Sequence, residues 1–327
     1  MSSPSVSVII PSYNRGDLIG ETIENMLGQS LAPHELIVVD DGSSDQTVEV
    51  VRRFGDRVRL IEQARAGPGA ARNAGLAVAT GEYVQFFDSD DLCSRDKIER
   101  QATALAQSGA DVAYGPWTPV WLKDGQAEFD GVVRQQSALR RAPLRAFLWG
   151  WLTLIPCCVI RRDLMVRLGG YPSARSTGED VELLFRLILS GARFEHVPGS
   201  IVLVRQHTGG QISAAPELAA MRASDRVHLT QTVWTLLNES DGVASVLDRY
   251  LWRTEMWSAR KELERLTPVD PVEFNPAYAL TRRVRQIVAG LRARRTGSRL
   301  PSDYTPGAMT PAQITAAHEL GYRTVRP

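Results

Sequence analysis

The sequence predicts an α/β protein with a doubly wound, mostly parallel sheet and a helical C-terminal extension. Within the first 100 residues, four short apolar runs alternate with segments of helical spacing, which is the order of strands joined by helical crossovers. Polar clusters follow three of these runs. Because ligands bind at the carboxyl ends of the strands in such sheets, these clusters predict a ligand site at one edge.

The elements follow from local patterns along the chain. Apolar runs at 6–10, 36–39, 58–61 and 83–87 predict buried strands. Helical spacing predicts helices at 17–28, after the polar residues 43–45 as far as 54, and at 69–79, with Asp17 expected to cap the first helix. Helical spacing also dominates 218–266, whereas the Pro-, Gly- and Thr-rich residues 301–327 predict an irregular tail.

The overall charge is balanced but its distribution is not. The 327 residues contain 38 Lys and Arg against 37 Asp and Glu, which excludes a strongly basic nucleic-acid coat and an acidic disordered protein. Residues 1–100 hold ten basic and sixteen acidic side chains. Residues 281–299 hold seven arginines and no acid, at the spacing of a basic amphipathic helix. This segment predicts either a peripheral membrane contact, a solvated basic face or a contact with the acidic sheet.

The sequence pattern favours a cytoplasmic protein. The N-terminus lacks the basic region of a signal peptide, and the longest apolar stretch, 147–160, is shorter than the roughly 18 residues of a spanning helix. Three cysteines, of which Cys157 and Cys158 are adjacent, do not make a disulfide framework. The expected location is the cytoplasm, with peripheral attachment at the inner face of the membrane left open.

The polar clusters favour a cation-binding site over a dinucleotide-binding site or a phosphate-binding loop of the Walker type. The first strand is not followed by the glycine pattern of dinucleotide-binding proteins, and residues 67–72 lack its third glycine. Asp88, Asp90 and Asp91 follow the fourth strand, and carboxylate oxygens are preferred ligands of Mg²⁺ and Mn²⁺. The alternative is that these acids cap a helix beginning near Arg95.

Four motifs in order, at 6–15, 35–43, 66–75 and 81–91, resemble those of family 2 glycosyltransferases of the GT-A fold. This resemblance implies transfer of a sugar from a nucleotide-diphosphate donor. It predicts a catalytic domain at 1–215, with a nucleotide-sugar-binding half at 1–110 and an acceptor-binding half at 111–215. A helical region at 216–300 and the tail at 301–327 complete the predicted organisation.

The resemblance also implies roles for residues at the donor end. Tyr13 is expected near the base, Asp41 or its neighbour Asp40 is expected to accept a hydrogen bond from the base edge, and Asp90 is expected to coordinate the metal. The remaining residues expected at the nucleotide, ribose or phosphates are Pro11, Arg15, Arg72, Asp88 and Ser89. Without the family, the leading interpretations are a turn former for Asp40 and a solvated helix residue for Arg72.

The residues that act on the acceptor are expected in a Glu-Asp pair at the start of a later helix. Glu179 and Asp180 resemble the family motif in which the aspartate is the catalytic base and the glutamate positions the acceptor. Sugar hydroxyls are very weak acids, so a carboxylate has to take the proton as the new bond forms. The alternative is an acidic pair that complements the helix dipole. His207 resembles a family histidine that completes the metal shell, and otherwise is a loop residue.

These observations predict a glycosyltransferase that uses Mn²⁺ or Mg²⁺ and a UDP-, GDP- or dTDP-sugar. The resemblance implies inversion at the anomeric carbon and a saccharide, lipid-linked or other hydroxyl acceptor in glycoconjugate biosynthesis. Two alternatives stay open: a sugar-phosphate nucleotidyltransferase and a non-catalytic nucleotide-sugar-binding protein. Homo-oligomer formation also stays open, and no nucleic-acid partner is expected.

Overall fold

The computed structural model describes residues 3–123, 126–129, 132–135, 138–148, 153–172, 177–206, 218–239, 246–266, 305–308 and 322–324. Two sheets and ten α-helices lie within these ranges. The strands are β1 (Val6–Ser12), β2 (Glu35–Asp40), β3 (Arg59–Glu62), β4 (Tyr83–Phe86), β5 (Leu92–Cys93), β6 (Val112–Tyr114), β7 (Trp117–Lys123), β8 (Gln126–Phe129), β9 (Val132–Gln135), β10 (Cys158–Arg161), β11 (Phe194–His196), β12 (Val202–Gln206), β13 (Thr305–Ala308) and β14 (Tyr322–Thr324).

Helices from along the chain pack on the sheet that contains β1. They are α1 (Ile19–Leu27), α2 (Thr47–Arg52), α3 (Pro68–Val78), α4 (Lys97–Ser108), α5 (Ala138–Arg141), α6 (Pro143–Leu148), α7 (Arg162–Arg167), α8 (Glu179–Leu189), α9 (Ala219–Glu239) and α10 (Val246–Leu266). In the described part of the chain, no helix combines the length and the apolar character that a membrane crossing requires.

The first of the two seven-stranded sheets has the strand order β11-β6-β10-β4-β1-β2-β3. Strands β4, β1, β2 and β3 run parallel, and β10 is antiparallel to both of its neighbours. This arrangement confirms the doubly wound, mostly parallel sheet. Parallel strands need covered faces, and the continuous apolar run of β1, buried along its whole length, meets that need.

Two cores lie on opposite faces of this sheet. Val8 and Ile10 of β1 pack with α1 and α4 on one face, whereas Ile9 packs with α3 and α8 on the other. Helix α3 approaches β1 closely because it carries Gly75: a Cβ there would lie 2.4 Å from Cγ2 of Ile9. The close approach brings the first turn of α3 to the carboxyl end of the sheet.

The C-terminal helices α9 and α10 belong to the same core as α8. Leu229 and Val233 of α9 are buried in it, and the Trp252 ring of α10 lies 5.8 Å from that of Phe147. Trp252 also donates a hydrogen bond from Nε1 to the carbonyl of Thr230, at 3.0 Å. The helical region therefore packs directly against α6 and α8, and the predicted boundary at residue 215 stays a prediction.

Several expected boundaries shift in the structure. Helix α1 begins at Ile19, with Leu18 as its N-cap residue. The amides of Leu18 and Ile19 both donate hydrogen bonds to the carbonyl of Arg15. Asp17, expected to cap this helix, instead accepts a hydrogen bond from Gln46 Nε2 at 2.9 Å. The second sheet, in which β12 pairs with β5 and β7, was not expected. Strand β12 lies far along the chain from both of its partners.

Candidate active site

A cleft of about 640 Å³ opens at the carboxyl ends of β1, β2 and β4, where the polar clusters predicted a ligand site. Its walls come from both predicted halves and from the start of α9. The lining residues are Pro11, Ser12, Tyr13, Arg15, Asp41, Arg65, Gly67, Pro68, Ala71, Arg72, Asp88, Ser89, Asp90, Asp91, Thr177, Gly178, Glu179, Asp180, Val204, Leu218 and Arg222.

The loop after β1 is fastened to the loop after β2. Asn14 adopts a positive φ of 50°, a conformation that asparagine tolerates better than most residues. Its amide donates to Ser43 Oγ at 2.9 Å, and its side-chain carbonyl accepts from the Ser44 amide at 2.9 Å. The Arg15 amide donates to Thr47 Oγ1 at 2.8 Å. These contacts hold Tyr13 and Arg15 at the cleft.

Tyr13 lies under a guanidinium group. The Cζ atom of Arg65 is 3.4 Å from the centroid of the Tyr13 ring, and both residues line the cleft. Arginine stacks on aromatic faces because its charge is attracted by the ring quadrupole. Arg65 was not predicted from the sequence, although it stands immediately before the third motif. The pair forms a flat, positively charged wall at this end of the cleft.

The two aspartates after β2 have different surroundings. The carboxylate of Asp40 accepts hydrogen bonds from the amide and hydroxyl of Ser43, at 2.9 and 2.5 Å, so this residue serves as the turn former that the alternative described. Asp41 lines the cleft and accepts from the amides of Ala66 and Gly67, each at 2.8 Å. Of the two, Asp41 has the position that the predicted contact with the base requires.

The acidic loop after β4 is partly buried, and hydrogen bonds and an ion pair hold it in place. Asp90 pairs with Arg15, whose Nε lies 3.2 Å from its Oδ2. The carboxylate of Asp91 accepts from the Arg205 amide at 3.0 Å, and the Thr22 hydroxyl donates to the Asp91 carbonyl at 3.0 Å. Burial raises the pKa of Asp91, and the nearby charge of Asp90 raises it further. The acids line the cleft, whereas α4 begins only at Lys97, so helix capping does not account for them.

Arg72 joins the two halves of the cleft. Its guanidinium lies 2.9 Å from Asp88 Oδ1 and 3.1 Å from Glu179 Oε1, and the Tyr171 ring lies beneath it at 4.9 Å. Burial would lower the pKa of Arg72, but Tyr171, Asp180, Asp88 and Glu179 raise it, so that the side chain stays charged. Arg72 is only 5% exposed, which contradicts the alternative of a solvated helix residue.

Asp180 and Glu179 begin α8, and their environments differ. Glu179 is paired with Arg72, whereas Oδ1 of Asp180 is buried without a hydrogen-bond partner among the described residues. Burial raises the pKa of Asp180 to about 7; Arg72 lowers it, and the charges of Glu179 and Asp88 raise it. Both carboxylates do lie in the first turn, where the helix dipole favours them. An acidic residue that only complements the helix dipole does not need an unpartnered oxygen in a cleft, as Asp180 has.

The carboxylates of the acidic loop suit a divalent cation. Mg²⁺ and related ions are commonly held by one or two carboxylates together with substrate phosphates, so a complete protein cage is not needed. The described part of the chain contains no cluster of three or more His, Cys, Asp or Glu side chains arranged as a metal site. Asp88 and Asp90 supply hard oxygen ligands, and their mutual repulsion with Asp91 is the kind that a cation relieves. His207 lies outside the described residues.

The lining residues that the sequence did not predict include Arg65, Thr177, Leu218 and Arg222. The last two come from the start of α9, more than 30 residues after the Glu-Asp pair, and no motif in that segment signals them. A helix of mixed polarity gives little indication of which side chain reaches a cleft formed by distant strands. Thr177 stands two residues before the predicted Glu179, and this proximity was the one sequence signal that could have placed Thr177 at the cleft.

Comparison with known proteins agrees with this geometry. The family model "Glycosyl transferase family 2" matches residues 7–167. The succinoglycan biosynthesis protein ExoO of Rhizobium meliloti is 31% identical over 241 residues, which are 69% of this chain and 68% of ExoO. Three curated glycosyltransferases from Haemophilus influenzae, Escherichia coli and Streptococcus pneumoniae are 36%, 40% and 37% identical over 130, 115 and 131 residues. The chain spans only 52%, 33% and 44% of their lengths.

Solved structures share the fold at low sequence identity. S. aureus TarS 1–349 in complex with UDP-GlcNAc has a TM-score of 0.60 at 21% identity, covering 80% of this chain and 74% of TarS. The mannosyltransferase PcManGT from Pyrobaculum calidifontis, in complex with GDP-Man and Mn²⁺, has a TM-score of 0.56 at 22% identity, covering 98% and 87%. These likenesses confirm the GT-A fold class, and with the match to ExoO over two thirds of both chains they show that this protein belongs to glycosyl transferase family 2.

Proposed function

We propose that the protein transfers a sugar from a nucleoside-diphosphate donor to an acceptor hydroxyl, with a divalent cation and with inversion at the anomeric carbon. One observation carries this proposal: the cleft combines an unpartnered buried carboxylate oxygen, on Asp180, with the acidic loop of Asp88 and Asp90. A base for the acceptor and ligands for the cation of the donor diphosphate are the two requirements of this reaction. The relationship to family 2 supports it.

The nucleotide is proposed to bind at the Tyr13 end of the cleft. The Tyr13 ring and the Arg65 guanidinium offer flat surfaces for stacking a base, beside Pro11. Asp41 orients the Ala66–Gly67 backbone and accepts a base N–H with its remaining lone pairs. Arg15, Asp88 and Ser89 lie between this end and Asp180, where the ribose and phosphates fit.

Asp90 is the proposed principal ligand of the cation, with Asp88 beside it. When bound, a divalent ion would supply positive charge that stabilises the departing diphosphate. Arg15 and Arg72, paired with these two aspartates, keep the carboxylates in place. The presence of Mn²⁺ and GDP-Man in the PcManGT structure supports this proposal by analogy.

The chemical step is proposed to use Asp180 as base. Its carboxylate accepts the proton of the acceptor hydroxyl while the hydroxyl oxygen bonds to the anomeric carbon. On the opposite face, the bond between that carbon and the diphosphate oxygen breaks, which leaves a nucleoside diphosphate and an inverted glycoside. Glu179 stays with Arg72 and forms the wall beside the acceptor.

A donor screen tests the proposed function. We expect UDP-, GDP- or dTDP-sugars to be hydrolysed slowly, or transferred to an added saccharide, in Mn²⁺ or Mg²⁺ and not in EDTA. Nuclear magnetic resonance of the product would show the inverted anomer. Pyrophosphate release from a nucleoside triphosphate would instead indicate a nucleotidyltransferase, and binding without turnover would indicate a non-catalytic protein.

The place of this reaction is also a proposal. The name of the relative ExoO, a succinoglycan biosynthesis protein, supports glycoconjugate biosynthesis. Membrane contact through residues 281–299 stays a prediction, because that segment lies outside the described residues. Cytoplasmic location and homo-oligomer formation likewise stay predictions.

A further inference from the structure

One face of α9 lies against the loop that carries the proposed base. Leu218, just before the helix, and Arg222 line the cleft, and Asp225 and Leu229 follow at spacings of three and four residues. Residues at such spacings share one face of a helix. This face therefore extends from the cleft to the N-terminus of α8, which begins at Glu179.

Asp225 makes the central contact of this face. Its Oδ2 atom accepts two hydrogen bonds from Thr177, one from the amide at 3.1 Å and one from the hydroxyl at 2.7 Å. Hydrogen bonds to a charged acceptor are roughly twice as strong as those between neutral groups. A double contact also fixes the orientation of the Thr177 peptide, because two donors on one residue must meet a single oxygen.

The next residue is held by packing. Gly178 has a φ of 80°, which an L side chain rarely adopts, and it caps the N-terminus of α8. A Cβ atom on Gly178 would contact Cδ2 of Leu229 at 3.4 Å. Helix α9 thus bonds to Thr177 and lies close to Gly178, the two residues that immediately precede Glu179 and Asp180.

The position of Asp180 depends on this backbone. Its Oδ1 atom has no hydrogen-bond partner among the residues that the structure describes, so side-chain contacts to that oxygen do not set where it lies. A base has to stand within hydrogen-bonding distance of the proton that it removes, and an error of about 1 Å can cost roughly 10²-fold in rate. Arg72 and Tyr171 lie close enough to act on this carboxylate, and the loop before α8 sets where its backbone stands.

We propose that Asp225 is a positioning residue of the transfer reaction: through Thr177 it holds the loop that places Asp180, which makes α9 part of the active site. This inference rests on the proposed function, because it takes Asp180 as the base. It assigns a role to the helical region that follows the segment matched by the family model.

The test compares Asp225→Ala, Asp225→Asn, Thr177→Val and the Asp225→Ala/Thr177→Val double variant. For Asp225→Ala we expect kcat to fall roughly 10- to 100-fold, with donor affinity by calorimetry unchanged, because the nucleotide end lies at Tyr13. Asp225→Asn keeps an acceptor oxygen and should retain most of the activity. The double variant should be no slower than Asp225→Ala, because both substitutions remove parts of one contact.

Arg226→Ala is the matched control. Arg226 is the next residue on α9 and pairs with Glu255 and Glu262 of α10, so the variant loses ion pairs of the same helix without touching Thr177. We expect a wild-type kcat for this variant, even where its melting temperature falls. An equal loss of kcat in Arg226→Ala and Asp225→Ala would mean general destabilisation and would overturn the proposal, as would a wild-type kcat in Asp225→Ala.

Amide hydrogen exchange separates this proposal from the proposed function. Without any substrate, Asp225→Ala should speed exchange in peptides covering residues 177–184, whereas Arg226→Ala should leave it unchanged. Unchanged exchange in Asp225→Ala would contradict the positioning role whatever the reaction. If exchange responds as expected but the wild-type protein transfers no sugar from any donor, the positioning of the loop stands and the proposed function fails.

Discussion

At the residue scale, Arg72 gives two neighbouring carboxylates, Glu179 and Asp180, different surroundings. Its guanidinium pairs with Glu179 and with Asp88, and both pairs are largely buried at the Arg72 end. Asp180, the next residue after Glu179, keeps an unpartnered oxygen and a raised pKa. Arg72 therefore holds one acid of this pair, Glu179, whereas the other, Asp180, is the proposed base.

Replacing Asp180 tests this division directly. Asp180→Asn keeps the shape of the side chain but removes its ability to take a proton, so kcat should fall by about 10²- to 10⁴-fold. Donor affinity measured by calorimetry should stay near that of the wild type, because Tyr13 and Arg65 are unaltered. Asp163→Asn, which removes an exposed carboxylate paired with Arg167, is the control and should leave kcat unchanged. Retained turnover in Asp180→Asn would contradict the assignment.

The raised pKa of Asp180 predicts the pH dependence of kcat/KM. Burial raises this pKa to about 7, and only the deprotonated carboxylate accepts a proton. The logarithm of kcat/KM should therefore rise with pH below about 7 and level off above it. Glu179→Gln removes a neighbouring negative charge that raises the pKa, so the rise should move to lower pH. A rise centred near the ordinary aspartate value in both proteins would show that the base is solvated.

At the element scale, the sequence predicted the strands that a local pattern of residues determines. It did not predict those that depend on pairing with distant parts of the chain. Strand β1 was predicted because a continuous apolar run is needed by a strand covered on both faces. The second sheet was missed because β12 pairs with β5 and β7, which lie about 110 and 85 residues earlier. Asp225 was missed for the same reason, since its partner Thr177 is 48 residues away.

The packing of α3 on β1 makes a prediction about stability. In Gly75→Ala the added methyl group would lie 2.4 Å from Cγ2 of Ile9, so the helix or the strand has to shift. Overpacking of this kind typically costs about 1–3 kcal/mol, to be measured by urea unfolding. Ala77→Ser, at an exposed position of the same helix, should change the free energy of unfolding much less. Equal stability of Gly75→Ala and the wild type would show that α3 does not pack against β1 in this way.

At the scale of the whole molecule, the net charge is close to zero because acidic and basic parts of the chain offset each other. Residues 1–100 contain ten basic and sixteen acidic side chains, and three of those acids meet in one loop after β4. The arginines of 281–299 offset this excess in the total charge of +1. A concentration of buried carboxylates opposes folding unless positive charge is close, and Arg15 and Arg72 supply part of it. A bound cation would supply more, which couples donor binding to the stability of the fold.

This coupling predicts that Mn²⁺ with UDP or GDP raises the melting temperature. A ligand present at about 100 times its Kd stabilises the folded state by about 2.7 kcal/mol, which is a rise of several degrees in the melting temperature. Asp90→Asn should lose the part of the rise that EDTA abolishes, because it removes the proposed principal ligand. Asp56→Asn removes one negative charge from an exposed site outside the cleft and should keep the full rise. An equal effect of Mn²⁺ on the wild type and Asp90→Asn would show that the cation binds elsewhere.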